Sequence, residues 1–194
     1  SATARRWRIP LVILPLTLSL VVNVFGWLII LGRGGLVNKF LVGLGLIDAP
    51  VQLLFSPVTV MLVLAQTFLP FMVLSVMSVV AQIDPALEQA AANLRAGRWV
   101  TLRRIVLPLA MPGILAGSTL VFILTVSAFI TPRLIGGTRI QMLGSLIYEQ
   151  TLVVLNWPFG GAMSLILLLI VFACVVTVNR LSRTRLLDNL LFLK

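Results

Sequence analysis

Of the 194 residues, 60% belong to the hydrophobic class and only 10% are charged, with a mean hydropathy of +1.14; an average soluble domain has roughly 45–50% apolar and about 25% charged residues, so a soluble globule is strongly disfavoured. Fifteen Lys and Arg against five Asp and Glu leave a net charge of +10, which in so apolar a chain reads as cations flanking membrane spans and not as a nucleic-acid footprint. With no histidine and one cysteine, Cys174, an intrachain disulfide and the usual histidine-based zinc, haem and acid–base sites are excluded, and Cys174 reads as a small hydrophobe in an apolar run.

The chain opens at Ser1 and runs directly into Arg5, Arg6 and Arg8, as a processed or truncated N-terminus would. Beyond them the charged residues leave four long neutral stretches, residues 9–32, 49–83, 105–132 and 150–179, of 24, 35, 28 and 30 residues. Each exceeds the ~20 apolar residues that cross a bilayer as a helix. Backbone groups in hydrocarbon must be satisfied within their own segment, and barrel-like alternation is absent. The expected fold class is therefore all-α, a polytopic membrane protein with four transmembrane helices in one domain over residues 1–194.

After the first span, residues 36–47 are apolar but broken by Gly43 and Gly45, and are expected to lie along the outer interface. Ser56-Pro57 divides the second stretch, with serine as N-cap and proline at the first helical position, so a helix runs from about Pro57 to Gln82. Asp84-Pro85 repeats the device and starts a helix whose first turn carries Glu88, favourable at the positive end of the helix dipole. The third span leads to a Gly136-Gly137 turn and a short semi-polar helix ending near Leu155. Trp157-Pro158 then opens the last span with an indole at headgroup depth.

Counting Lys and Arg in the connections orients the chain. One side receives eleven (Arg5, Arg6, Arg8, Arg95, Arg98, Arg103, Arg104, Arg180, Arg183, Arg185 and Lys194), the other four (Arg33, Lys39, Arg133 and Arg139). The positive-inside rule puts both ends of this chain and the 84–107 connection in the cytoplasm.

That connection is the most informative segment. Leu87, Ala90, Ala91 and Leu94 fall at i, i+3, i+4 and i+7, one narrow apolar face made mostly of methyl groups, suited to close docking against another protein. Gly97 is expected to break the helix, after which Trp99, Leu102 and Ile105 start a second short helix leading back to the bilayer at Pro108.

The segment resembles the Glu-Ala-Ala loop of the inner-membrane permease subunits of binding-protein-dependent ABC importers, whose pattern is Glu-Ala-Ala, three residues, Gly, nine residues, Ile, one residue, Leu-Pro. Aligned on Ile105-Val106-Leu107-Pro108, its Glu-Ala-Ala falls on Gln89-Ala90-Ala91 and its glycine on Arg95. Gln89 and Arg95 depart from the pattern; Glu88 stands one position early to supply the charge, and Gly97 two positions late to supply the turn. Phe25-Gly26-Trp27, the run Leu69-Pro70-Phe71-Met72-Val73-Leu74, Pro112-Gly113-Ile114, Thr131-Pro132 with Gly136-Gly137, and Asn156-Trp157-Pro158-Phe159-Gly160 extend the likeness along nearly the whole chain, to the spermidine/putrescine branch.

The resemblance implies a type I importer permease (MetI-like) fold of six spans in the bacterial inner membrane, of which these four would be the last, with two more expected before Arg5. It implies a transporter subunit and not an enzyme, forming the pathway for a small organic solute such as spermidine, putrescine or a related amine. The partners implied are ABC ATPase subunits, a second permease subunit and an extracytoplasmic substrate-binding protein. ATP and Mg would be bound by the ATPase, since this chain has no phosphate loop and needs no cofactor of its own. Asp84, Leu87, Glu88, Gln89, Ala90, Ala91, Leu94 and Gly97 would couple to the ATPase.

Polar residues within spans tend to face a cavity or a helix partner. Asn23, Gln66, Thr67, Thr125 and Ser127 are the candidates for lining the pathway, with interhelical hydrogen bonding as the alternative role, particularly for Thr and Ser. Gly113 and Gly117 form a small-x3-small pair suited to helix packing. No acidic side chain falls within a span, which speaks against a gradient-coupled carrier. The alternatives left open are an importer for another amino compound or small solute, a secondary carrier, and a structural membrane subunit.

Overall fold

The computed structural model describes residues 19–191, all-helical with no strand among them. The terminal cations Arg5, Arg6, Arg8 and Lys194, and the start of the first expected span, lie outside the described residues. Among the described residues four helical stretches are long and apolar enough to cross a membrane: Leu20–Gly43, Pro57–Val80, Arg98–Ser127 and Trp157–Arg180. They agree with the four spans expected from the neutral stretches. The chain groups into two compact units, one containing residues 19–70 and 124–169, the other 71–123 and 170–191.

In the first unit, α1 (Leu20–Leu31) ends at Gly32, whose N–H donates to the Leu28 carbonyl at 3.0 Å. The chain then turns sharply enough that a Cβ at Gly35 would collide with the carbonyls of Ile29 and Ile30. The short helix α2 (Leu36–Gly43) follows, within the segment expected to lie along the outer interface. Asn38 secures it: 1% exposed, its Nδ2 donates to the carbonyls of Gly32 and Val51 at 3.0 Å each, and its Oδ1 accepts the Val51 N–H at 2.9 Å. A buried amide that satisfies three backbone groups fixes where an otherwise apolar connection must fold back.

Helix α3 (Pro57–Val80) begins at the expected proline, and Ser56 contributes its carbonyl to the Val60 N–H at 3.2 Å. Within the first unit the buried core is Val24 of α1, Val60, Val63 and Leu64 of α3, and Ile135. Ile135 lies in a π-helical turn, Pro132–Gly136, and its carbonyl receives the Phe55 N–H at 2.9 Å. The turn ends at Gly137, whose φ of +61° lies in the left-handed region that favours glycine.

Ser145 then caps α7 (Leu143–Tyr148): its Oγ accepts the Met142 N–H at 2.9 Å and donates to the Met142 carbonyl at 2.8 Å. Gly144 lets this helix sit against the main chain, since a Cβ there would meet the carbonyls of Ser127 and Ala128 at 2.7 and 2.8 Å. A second π-helical turn, Glu149–Val153, completes the expected semi-polar helix. The last helix, α8 (Trp157–Leu191), starts at Trp157 with the Asn156 side chain accepting the Phe159 N–H at 3.3 Å.

In the second unit the C-terminal part of α3 leads through α4 (Pro85–Asn93) and α5 (Arg98–Thr101) into α6 (Leu107–Ser127). The expected packing role of Gly113 and Gly117 is visible here. A Cβ at Gly113 would stand 2.9 Å from Val79 Cγ2 and 3.0 Å from the Ser75 carbonyl, and one at Gly117 2.7 Å from Met72 Sδ. Backbone-to-backbone approach of this kind substitutes for the hydrophobic drive that is missing between helices in lipid.

Candidate functional site

Helix α4 is capped at both ends by its own sequence. Asp84, in extended conformation, accepts the Ala86 N–H on Oδ1 at 2.8 Å, and Pro85 fills the first helical position. Glu88 stands in the first turn, where the exposed amide ends favour a negative charge. At the other end Arg95 N–H donates to the Ala92 carbonyl at 2.9 Å and Ala96 N–H to the Ala91 carbonyl at 3.0 Å. This pair of bonds is a Schellman closure, and the residue it forces into left-handed conformation is Arg95, with φ of +55°.

The turn therefore falls where the importer pattern has its glycine, and not at Gly97. Gly97 has φ of −65° and ψ of 155°, an extended conformation open to any residue, and serves as N-cap of α5. The second short helix is also no separate element. Arg98–Thr101 runs through a π-helical turn, Leu102–Val106, straight into α6. The extra residue of the π-helical turn carries the Leu107 N–H back to the Leu102 carbonyl, five residues earlier.

The expected apolar face divides in two. Ala91 is buried within the chain at 4% exposure, whereas Leu94 is 84% exposed, Trp99 71% and Leu87 43%. Asp84, Glu88, Gln89, Ala90 and Gly97 are exposed, as are Arg95, Arg98, Arg103 and Arg104. What α4 and α5 present outward is thus a few large apolar side chains among arginines, with the small Ala91 turned inward.

The first unit brings three of the five pathway candidates together. Asn23 Nδ2 on α1 donates to Gln66 Oε1 at 3.3 Å and Thr67 Oγ1 at 3.2 Å on α3, and Trp27 Nε1 donates to the same Gln66 oxygen at 3.1 Å. Thr67 Oγ1 in turn donates to the Val63 carbonyl at 2.7 Å. Thr125 and Ser127, near the end of α6, take no part in this network.

A charged cluster in the same unit had no counterpart in the sequence reading. Arg133 Nη1 pairs with Glu149 Oε2 at 2.8 Å, its guanidinium lies 5.8 Å from the Tyr148 ring centre, and Tyr148 stacks on Phe129 at 4.9 Å. Sixteen residues separate Arg133 and Glu149, so no local periodicity links them; the available hint was composition, Tyr148 being the sole tyrosine.

A family model for "binding-protein-dependent transport system inner membrane component" matches residues 2–186. The chain belongs to this family. It is 36% identical over 173 residues to the spermidine/putrescine transport system permease protein PotB of Escherichia coli, and 34% identical over 182 residues to the inner membrane ABC transporter permease protein YdcU of the same species. These alignments cover 89% and 88% of this chain, but 63% and 58% of the relatives; the chain spans less than two thirds of their length. In fold it is similar to a chain of a bacterial ABC transporter involved in the import of the acidic polysaccharide alginate, with a TM-score of 0.83, 22% identity, and coverage of 95% of this chain and 67% of that one. Membership makes the chain an inner-membrane transport component and not an enzyme, in agreement with the sequence reading, and accounts for its four apolar helical stretches.

Proposed function

We propose that this permease-family chain forms part of the translocation pathway of an ATP-driven importer for a small organic amine of the polyamine class. The observation that carries the reading is α4: a short helix locked at both ends, which cannot fray when pushed, with Leu87, Leu94 and Trp99 exposed around it. An isolated nine-residue helix is marginal in water. One with both caps filled is suited to pass on the movement of a docked partner as a rigid body. The partner is a pair of ABC ATPase subunits that bind ATP and Mg; Asp84, Glu88 and Gln89 edge the contact, and Leu87, Ala90 and Leu94 supply its apolar part.

The remaining partners are a second permease subunit and an extracytoplasmic binding protein that hands over the solute. The eleven-to-four bias of Lys and Arg supports a cytoplasmic position for 84–107 and for both ends of this chain. The amine assignment is supported by the 36% identity to PotB. Reconstitution with the partner subunits should give uptake of labelled spermidine that needs ATP on the side of 84–107 and the binding protein on the other. Single cysteines at Asn93 and Thr138, in a Cys174→Ser background, should label from opposite faces. Uptake driven by an ion gradient without ATP would refute the importer, and labelling of both cysteines from one face would refute the topology.

A further inference from the structure

We infer that the Asn23–Gln66 pair is a weak, uncharged station for an ammonium group of the transported solute at the middle of the bilayer, an inference that rests on the importer reading above. Asn23 lies nine residues before Gly32 and Gln66 nine after Pro57. That is about 13 Å of helical rise in each case, roughly half of a hydrocarbon core about 30 Å thick. A polar pair at this depth is costly unless it faces a cavity or another polar group.

The hydrogen bonds leave defined groups over. Gln66 Oε1 is taken by Asn23 and Trp27, and Thr67 by Asn23 and Val63. Among the described residues Asn23 Oδ1 and Gln66 Nε2 have no hydrogen-bond partner. No buried side-chain nitrogen or oxygen lacks one there, and both residues, though mostly buried, keep part of their surface exposed, which places these two atoms at the surface of the chain. The internal bonds meanwhile hold both amides in fixed rotamers.

Pro70 lies inside α3 four residues after Gln66 and has no N–H, which leaves the Gln66 carbonyl without its usual i+4 donor, but its ring is fully buried and keeps that carbonyl inside the fold. The level of Gln66 therefore offers one outward neutral oxygen, Asn23 Oδ1, to a group that only donates. An ammonium is such a group. A neutral acceptor and no carboxylate bind it loosely, which is what passage requires: firm enough to admit the charge, weak enough to release it.

Gln66→Glu tests this in the assembled transporter. The substitution keeps an acceptor for Asn23 and Trp27 and replaces the outward Nε2 with a carboxylate oxygen. With spermidine the apparent KM should fall about five- to tenfold, the gain of a charge-assisted over a neutral hydrogen bond, and the maximal rate should fall with it as the station becomes a trap. Independently, Gln66→Cys in the Cys174→Ser background should react with a charged thiol reagent and be protected by spermidine. Met61→Cys, 67% exposed and about 140° around the helix, should stay unreactive in lipid. If either variant does not assemble, the other decides. An unchanged KM, or Gln66→Cys labelling that spermidine does not slow, overturns the station while ATP-driven uptake by the unaltered complex leaves the importer standing. Absence of amine uptake by the unaltered complex takes both down.

Discussion

Exchanging a single residue on either side of the α4 cap separates docking from folding. Leu94 is 84% exposed and Ala91, three residues earlier, 4%. Leu94→Glu removes a side chain that the isolated chain hardly buries, so its effect on the fold should lie within about 0.5 kcal/mol, as for surface sites in general. If an ATPase subunit covers Leu94, the substitution forfeits the burial of one leucine, about 1.5–3 kcal/mol, which weakens association by about ten- to 150-fold. Ala91→Glu instead forces a carboxylate into a space that holds a methyl group, at a cost of about 3 kcal/mol or more in overpacking and desolvation, enough to unwind a helix of nine residues. The assay pairs ATPase binding to the detergent-purified permease with hydrogen exchange over 85–93. Leu94→Glu should lose binding with native protection, and Ala91→Glu should lose both. Binding of Leu94→Glu within twofold of the unaltered protein would refute the assignment of this face.

Two further outcomes follow from the backbone geometry. Arg95→Gly should relieve a left-handed conformation that costs an L-residue about 1–2 kcal/mol, against about 0.5–1 kcal/mol of added unfolded-state entropy, and so slow hydrogen exchange at Ala96 by up to several-fold; faster exchange would contradict the Schellman closure. Gly113→Ala should lower the midpoint of heat-induced unfolding through about 1–3 kcal/mol of overpacking against Ser75 and Val79, whereas Gly161→Ala, which meets nothing within 4 Å, should not; equal midpoints would show that the α3–α6 contact is looser than described.

Spans and their starts were legible because they rest on local chemistry. Asp84-Pro85 can do little other than begin a helix, and a neutral stretch of 28 or 30 residues has few homes outside a bilayer. What escaped depends on the hydrogen bonds that close a helix end and on neighbours distant in sequence. The i, i+3, i+4, i+7 pattern locates a face but does not say that the chain itself covers Ala91 and leaves Leu94 free. Gly97 looked like the turn because glycine tolerates left-handed backbone best, yet the bonds to Ala91 and Ala92 place that strain on Arg95. The pairing of Arg133 with Glu149 joins positions sixteen apart, a contact that no periodicity records.

The π-helical turn at Leu102–Val106 gives the cytoplasmic connection a rotary setting. It absorbs one residue more than an α-helical turn within about the same rise and rotation, so rewinding it as regular α-helix with every residue kept would swing everything before it about 100° around the axis of α6. Trp99 would then point away from its present direction with every side chain intact. Deleting one residue in 102–106 instead restores regular winding at nearly the present bearing, and should disturb partner contact less than a one-residue deletion in the α-helical winding at 107–111, which imposes that swing.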